Sequence, residues 1–196
     1  MASADLMQRF PQAAWIDPTA RIWGEVSIGE GASVWPYAVI RCESNHVRIG
    51  RLTNLQDHVM VHIGYGNPTT IGDHCSIAHR AVLHGCTIAD NCLVGIGAIV
   101  MDGAVIGENS IVAGNALVRE GTIIPPNSIV MGTPAKVVRT ANNWVANRAN
   151  AWLYHRNAQH YARGEHRAWN GAAYEAAKAA EQARLEAEFR TIYGSG

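Results

Sequence analysis

Three histidines in one short stretch of this sequence are the residues best suited to chemistry. They are His62, His79 and His84, between positions 54 and 85. The same stretch carries the polar side chains of Asn54, Gln56 and Asp57. A catalytic zinc site uses three protein ligands, often neutral imidazoles oriented by nearby polar groups, and leaves one position for water. The three histidines therefore predict a metal site that activates water.

The composition is that of one sizeable domain without a charged face. The chain has 196 residues, 48% of them hydrophobic, and its 16 basic and 16 acidic side chains give a formal net charge of zero. This balance provides no basic patch for nucleic acid and no polybasic segment for an anionic membrane. We expect small molecules or further copies of the chain as partners.

The cysteines and the N-terminus predict a cytoplasmic protein. Four cysteines, without C-x-x-C spacing, lack the density of a secreted disulfide scaffold and are expected to be reduced. The first residues lack the apolar core of a signal peptide, and no run of 18 apolar residues predicts a membrane span.

An aliphatic residue returns every six positions through most of the chain. These positions, called rungs below, are Ile16, Ile22, Ile28, Val34, Ile40, Ile49, Leu55, Val61, Ile71, Ile77, Leu83, Ile88, Val94, Val100, Ile106, Val112, Val118, Ile124 and Val130. A hexapeptide period is typical of a parallel β-helix, in which three hexapeptides make one triangular coil. An antiparallel β-sandwich, the alternative, does not keep a six-residue phase. We therefore predict an all-β solenoid.

The pattern divides the chain into three parts. Residues 1–15 are a lead-in, residues 16–138 form the β-helix domain, and residues 139–196 form a helical extension. Within the extension, helix formers and stop signals predict helices over 142–162 and 172–193. The second helix has only a thin apolar stripe, so we expect it to project or to contact a neighbouring chain.

Two breaks in the period predict loops beside the histidines. The step is nine residues between Ile40 and Ile49 and ten residues between Val61 and Ile71. A coil can expel extra residues only as a loop from a corner, and loops on a rigid scaffold often carry function.

The rung count assigns each polar residue to a face of the triangular prism. Faces one, two and three begin at the rungs Ile49, Leu55 and Val61. Arg41, His62 and His84 each follow a face-three rung by one residue, so they form one outward column with a spacing of about 4.8 Å. His79 lies on face two, directly above Asp57. Because the two faces look in different directions, we expect the third metal ligand to come from another subunit of a homotrimer.

The sequence resembles the γ-class carbonic anhydrases and their close relatives. The resemblance covers residues 16–138 and rests on the stretches SVWPYAVIR, IGRLTNLQD, VHIG and IAHRAVLHGCTI. It implies a left-handed β-helix that forms a homotrimer with zinc at the subunit interfaces, Fe²⁺ or Co²⁺ being alternatives. It also implies that His62, His79 and His84 are the metal ligands.

The resemblance implies roles for the polar residues around the histidines. Gln56 corresponds to the residue that holds a metal-bound hydroxide, and Asn54 is its polar neighbour. Arg41 and Asp57 correspond to an ion pair between subunits that borders the substrate pocket. Glu43 keeps the carboxylate of the family's Arg-Gly-Asp sequence, which here reads Arg-Cys-Glu. In the C-terminal extension, Tyr161 matches a tyrosine that approaches the site in some relatives.

The implied activity is that of a zinc-dependent lyase that hydrates CO₂ to bicarbonate through a metal-bound hydroxide at the trimer interface. Because the same nucleophile could attack a thioester, a metal-dependent acyl-CoA thioesterase of the same family is an alternative. A metal-free hexapeptide acyltransferase with a histidine as general base is another. The last alternative is a non-catalytic subunit of a larger assembly that still forms the homotrimer.

Overall fold

The computed structural model is a left-handed parallel β-helix with helices at its ends, and it describes residues 3–194. The strands are β1 (Trp15–Ile16), β2 (Arg21–Ile28), β3 (Ser33–Val34), β4 (Val39–Ile49), β5 (Asn54–Leu55), β6 (Met60–His62), β7 (Thr69–Ile71), β8 (Ser76–Ile77), β9 (Val82–His84), β10 (Thr87–Ile88), β11 (Leu93–Val94), β12 (Ile99–Val100), β13 (Val105–Ile106), β14 (Ile111–Val112), β15 (Leu117–Val118), β16 (Ile123–Ile124), β17 (Ser128–Gly132) and β18 (Ala135–Thr140). The helices are α1 (Ser3–Arg9), α2 (Trp144–Tyr161) and α3 (Ala172–Tyr193).

The coils form because each rung points inward and stacks on the rung of the next coil. On face three, Val61 pairs with Leu83, and Leu83 pairs with Val100, all three with no exposed surface. The small residue four positions after a rung, such as Ala81 or Ala98, is also fully buried at the corner. Burying one aliphatic side chain contributes about 1.5–3 kcal/mol, so the regular rungs account for the core. The predicted solenoid is confirmed.

The strands follow the three faces of the prism. Strands β1, β3, β5, β8, β11, β14 and β17 form face two, in that order and all parallel. Faces one and three join into a single sheet because β4 continues around the corner between them.

Both ends of the β-helix hold elements that the period does not predict. In the lead-in, α1 is followed by Phe10, and the side chains of Leu6 and Phe10 are each 3% exposed as they close the first coil. At the other end, β18 runs antiparallel to β17, so the parallel coils end before residue 138. These ends cover backbone and core that an open coil would expose to water.

The C-terminal extension contains the two predicted helices. Helix α2 lies against face two, where Trp35, Tyr154 and Ala158 form a buried cluster. Helix α3 packs on α2, and Leu185 is 1% exposed between them. Helix α3 therefore does not project from the molecule, and its contact with a neighbouring chain, the other expectation, stays a prediction. None of the helices within residues 3–194 has the length and apolar character needed to cross a bilayer.

The four cysteines are free and buried, in agreement with their prediction as reduced thiols. Burial raises the pKa of Cys86 to about 12 and that of Cys75 well above its ordinary value. The thiols of Cys75 and Cys86 therefore stay protonated and unreactive and serve as packing residues.

Candidate metal centre

Strand register aligns Arg41, His62 and His84 on face three. Arg41 in β4 pairs with His62 in β6, and His62 pairs with His84 in β9. The two imidazole rings have centroids 4.9 Å apart, and Nδ1 of His62 lies 3.0 Å from Nε2 of His84. The column predicted from the rung count is therefore present.

The spacing of these two nitrogens suits a shared metal ion. Two nitrogens bound tetrahedrally to zinc at about 2.0–2.1 Å lie about 3.3 Å from each other, close to the 3.0 Å observed here. Burial lowers the pKa of His62, with further contributions from the positive charge of Arg41 and from His84. The His62 ring is thus neutral at neutral pH and keeps a lone pair for a cation.

His79 lies on face two, away from this pair. It follows β8, and its Nδ1 atom is 2.9 Å from Oδ2 of Asp57, the residue directly below it. Its Nε2 atom lies 3.5 Å from the hydroxyl oxygen of Tyr154 in α2. Within residues 3–194 of a single chain, no group of three or more His, Cys, Asp or Glu side chains could hold a metal ion. One chain therefore offers the three histidines as a pair and a single residue on different faces.

Glu43 contacts His62 of the histidine pair and also pairs with Arg41, whereas Asp57 contacts neither histidine of the pair. The carboxylate of Glu43 forms an ion pair with Arg41 and lies 2.9 Å from Nε2 of His62. Within the chain, Asp57 contacts His79. An ion pair between Arg41 and Asp57 of two subunits stays a prediction.

Asn54 and Gln56 are held in place beneath helix α2. They are 1% and 3% exposed. The Gln56 amide donates a hydrogen bond of 3.0 Å to Oδ1 of Asn54, and the Asn54 amide donates one of 2.9 Å to Oγ of Ser76. This chain of bonds fixes the orientation of the Gln56 amide on the same face as His79.

Tyr161 lies in the wall of a cavity of about 500 Å³ beside His79. The cavity is lined by face two, by α2 and by the connection to α3, with the aromatic side chains of Trp35, Tyr154, Tyr161 and Trp169. The ring centroid of Tyr161 is 4.9 Å from that of Trp35, in an edge-to-face arrangement. Tyr161 therefore borders the space next to His79 but belongs to an aromatic cluster.

Two residues near the histidines escaped the sequence analysis. Asp102 lies 2.6 Å from Nδ1 of His84, and Tyr154 contacts His79. Continuing the rung count would have found Asp102, which is two residues after a face-three rung. Tyr154 lies two helical turns before Tyr161, but helical spacing alone does not show which face of the prism α2 covers. Burial, with the nearby charge of Asp57, raises the pKa of Tyr154 to about 12, so its hydroxyl stays protonated.

The comparisons with known proteins agree with this architecture. Residues 85–120 match the family "Bacterial transferase hexapeptide (six repeats)". A solved hexapeptide transferase family protein from Anaplasma phagocytophilum has a TM-score of 0.67 and is 35% identical, over 75% of this chain and 92% of that one. The protein thus has the scaffold of the hexapeptide-repeat proteins.

Similarity to curated proteins identifies the family within the hexapeptide-repeat proteins. Gamma carbonic anhydrase 1, mitochondrial, from Arabidopsis thaliana is 43% identical over 45% of this chain and 34% of its own length. A carbonic anhydrase from Geobacillus kaustophilus is 43% identical over 65% of this chain and 70% of its own length. The chain therefore belongs to the γ-class carbonic anhydrase-like family of hexapeptide-repeat proteins. It spans between 34% and 57% of the length of the first three curated relatives.

Proposed function

We propose that this protein is a metal-dependent hydratase that converts CO₂ to bicarbonate at sites shared between the subunits of a homotrimer. Each site takes His62 and His84 from one chain and His79 from the next. The observation that carries the proposal is the division of three oriented imidazoles between two faces, the pair 3.0 Å apart and the single residue on another face.

An apolar stripe beside the histidine pair supports a second copy as the partner of face three. After the first coil, where Arg21 is exposed, the residues that precede the face-three rungs are half-buried and apolar: Val39, Met60, Val82, Ile99 and Leu117. The same positions on face one include the exposed polar residues Ser27, Arg48 and Thr87. A continuous apolar stripe on one face is typical of an interface between protein chains.

The residues around the proposed cation have different roles in orienting the ligands and the attacking oxygen. A zinc-type cation lowers the pKa of a water molecule to about 7, which makes a nucleophile available at neutral pH. Asp57 accepts the Nδ1 proton of His79 and so leaves its Nε2 atom unprotonated, while Glu43 contacts His62. The amide of Gln56, fixed by Asn54, is suited to orient the oxygen that attacks CO₂.

The cavity beside His79 favours acyl thioester hydrolysis as a second candidate. Its volume of about 500 Å³ far exceeds the needs of CO₂, and sites for larger organic molecules have about 300–1,000 Å³ with aromatic walls. The side chains of Trp35 and Trp169 would contact an acyl group there, and Arg167 adds a positive charge. An acyltransferase would use the same cavity without a metal ion.

Metal removal and a substrate panel separate these functions. We expect the purified protein to bind one Zn²⁺ per chain and to hydrate CO₂ in a stopped-flow indicator assay, with activity lost on chelation and restored by Zn²⁺, Fe²⁺ or Co²⁺. Metal-dependent cleavage of acyl-CoA without CO₂ hydration would favour the thioesterase. Acetyl transfer that persists in the chelated protein would contradict the proposal.

Cell fractionation would test the cytoplasmic location, which the free cysteines support.

A further inference from the structure

Asp102 is a carboxylate beside the candidate centre that has no role in the mechanism proposed above. It follows the face-three rung Val100 by two residues, and β12 places it one coil above His84. Its Oδ2 atom lies 2.6 Å from Nδ1 of His84, and the side chains of Asp102 and His84 are 29% and 33% exposed. Asp102 thus contacts a candidate metal ligand from the coil above.

Two glycines leave the space that this carboxylate occupies. A Cβ atom at Gly64 would overlap Oδ1 of Asp102, and one at Gly85 would lie 2.5 Å from it. Gly85 has a φ of +57°, which by itself favours glycine. Gly64 lies outside that backbone region, so the space taken by the carboxylate is what excludes a side chain there. A methyl group at Gly64 would therefore require the carboxylate of Asp102 to move.

The hydrogen bond from His84 to Asp102 fixes which ring nitrogen is free. A neutral imidazole carries one proton, and a carboxylate only accepts, so Nδ1 of His84 donates to Asp102. The lone pair then lies on Nε2, the atom that is 3.0 Å from Nδ1 of His62. The free nitrogen of His84 therefore faces the position where a shared ion would bind.

Face two repeats this arrangement. Nδ1 of His79 contacts the carboxylate of Asp57 at 2.9 Å, and this leaves Nε2, 3.5 Å from the hydroxyl oxygen of Tyr154, as the unprotonated nitrogen. The carboxylates reach their histidines from opposite directions, because Asp57 lies one coil below His79 and Asp102 one coil above His84. The two oriented imidazoles are thus built independently, which argues against a chance contact at either one.

We propose that Asp102 is a positioning residue that holds His84 with its Nε2 atom directed at the metal. This inference rests on the proposed function, since it assigns His84 as a ligand. Carboxylates behind ligating histidines strengthen metal binding by about 10–100-fold.

The test is the Zn²⁺ affinity of the full-length protein, measured by competition with a chromophoric chelator. We expect Asp102→Ala to weaken Zn²⁺ binding by about 10–100-fold, and Asp102→Asn, which keeps a neutral acceptor, to weaken it less. Glu120→Ala is the matched control, because Glu120 has the same position one coil further on and is exposed. Its affinity should equal that of the wild type. The metal-free variants should melt at the wild-type temperature.

A second variant tests whether the carboxylate acts through its place over Gly64. Gly64→Ala should displace Asp102 and weaken Zn²⁺ binding, but it should add no loss when Asp102 is already alanine. Additive losses would mean that Gly64 acts in another way and would overturn the positioning role. If the wild type binds Zn²⁺ and Asp102→Ala binds it equally well, this inference alone fails. If the wild type binds no Zn²⁺, the proposed function fails with it.

Discussion

Faces two and three of the β-helix are built from the same repeat, but they differ in what covers them. On face two, α2 buries Trp35, and the outward residues Asn54 and Gln56 are almost inaccessible. On face three, α1 reaches the first strand, where Arg9 donates hydrogen bonds to the carbonyl oxygens of Ile22 and Gly24, whereas α2 packs on face two. There the apolar residues that precede the rungs stay half-buried, next to the histidine pair. The chain thus covers face two with its own helix and leaves face three suited to a second copy.

A site shared between the two faces can be divided between two variants. His79→Ala and His84→Ala homotrimers should each lose stoichiometric Zn²⁺ binding, because every site then lacks one ligand. In a co-refolded equal mixture, one site in about four should receive His79 from one variant and the His62–His84 pair from the other. Metal analysis and CO₂ hydration should therefore both recover to about a quarter of the wild-type value.

The unmixed variants and a mixture of His62→Ala with His84→Ala are the controls. The second mixture should recover nothing, because those two ligands come from the same chain. Recovery there, or full Zn²⁺ binding in a single variant, would show that the two faces do not share a site.

A charge in the apolar stripe of face three should dissociate the homotrimer. Leu117→Asp places a carboxylate in the apolar stripe of face three, and an unpaired charge buried in an interface costs several kcal/mol. We expect light scattering to show a monomer. Ile123→Asp is the matched control, because Ile123 has the same position one hexapeptide later, on face one, and is 66% exposed. A monomer with Ile123→Asp and a trimer with Leu117→Asp would reverse the assignment of the faces.

The covered face should lose stability when its largest side chain is removed. Trp35→Ala should lower the free energy of unfolding by about 3–5 kcal/mol, since Trp35 is 4% exposed and packs on Tyr154. Trp23 has the equivalent position on face three and is 48% exposed. Measured by urea unfolding in the monomeric Leu117→Asp background, Trp23→Ala should cost less than about 1 kcal/mol. Equal costs would mean that α2 contributes little to face two.

The smallest predicted effect is a pH dependence of folding stability that comes from His74, at a corner of the prism beside α2. Burial, with the charge of Arg148 in α2, lowers the pKa of His74 from 6.5 to about 4. Asp73 and Asp90 act in the opposite sense, and Arg51 in the same sense as Arg148. The unfolded chain therefore binds more protons between pH 6.5 and 4, so the folded state loses up to about 3 kcal/mol as the pH falls through this range.

His74→Asn should remove this pH dependence. Asparagine is the native residue at the same corner in later coils, at Asn91, Asn109 and Asn127, with the same left-handed backbone. In urea unfolding, the variant and the wild type should differ more at pH 4.5 than at pH 7.5. Parallel pH profiles would mean that His74 is not the residue responsible.

The six-residue period determined the coil, the rungs and the column that holds His62 and His84. This was possible because each hexapeptide contacts only its neighbours in the next coils, so counting along the chain is equivalent to measuring along the prism. The same counting places His79 above Asp57, and the helix signals give α3 the same bounds as the structure. These features depend on local order alone.

What covers each face, by contrast, depends on the tertiary structure. The sequence does not show that α2 packs on face two and brings Tyr154 to His79, because the helix signals define a helix without its docking surface. It likewise did not reveal that Glu43 contacts Arg41 and His62 within one chain, since β4 continues around a corner there. Such contacts depend on where α2 docks and on how β4 bends. The stacking of the coils determines neither position.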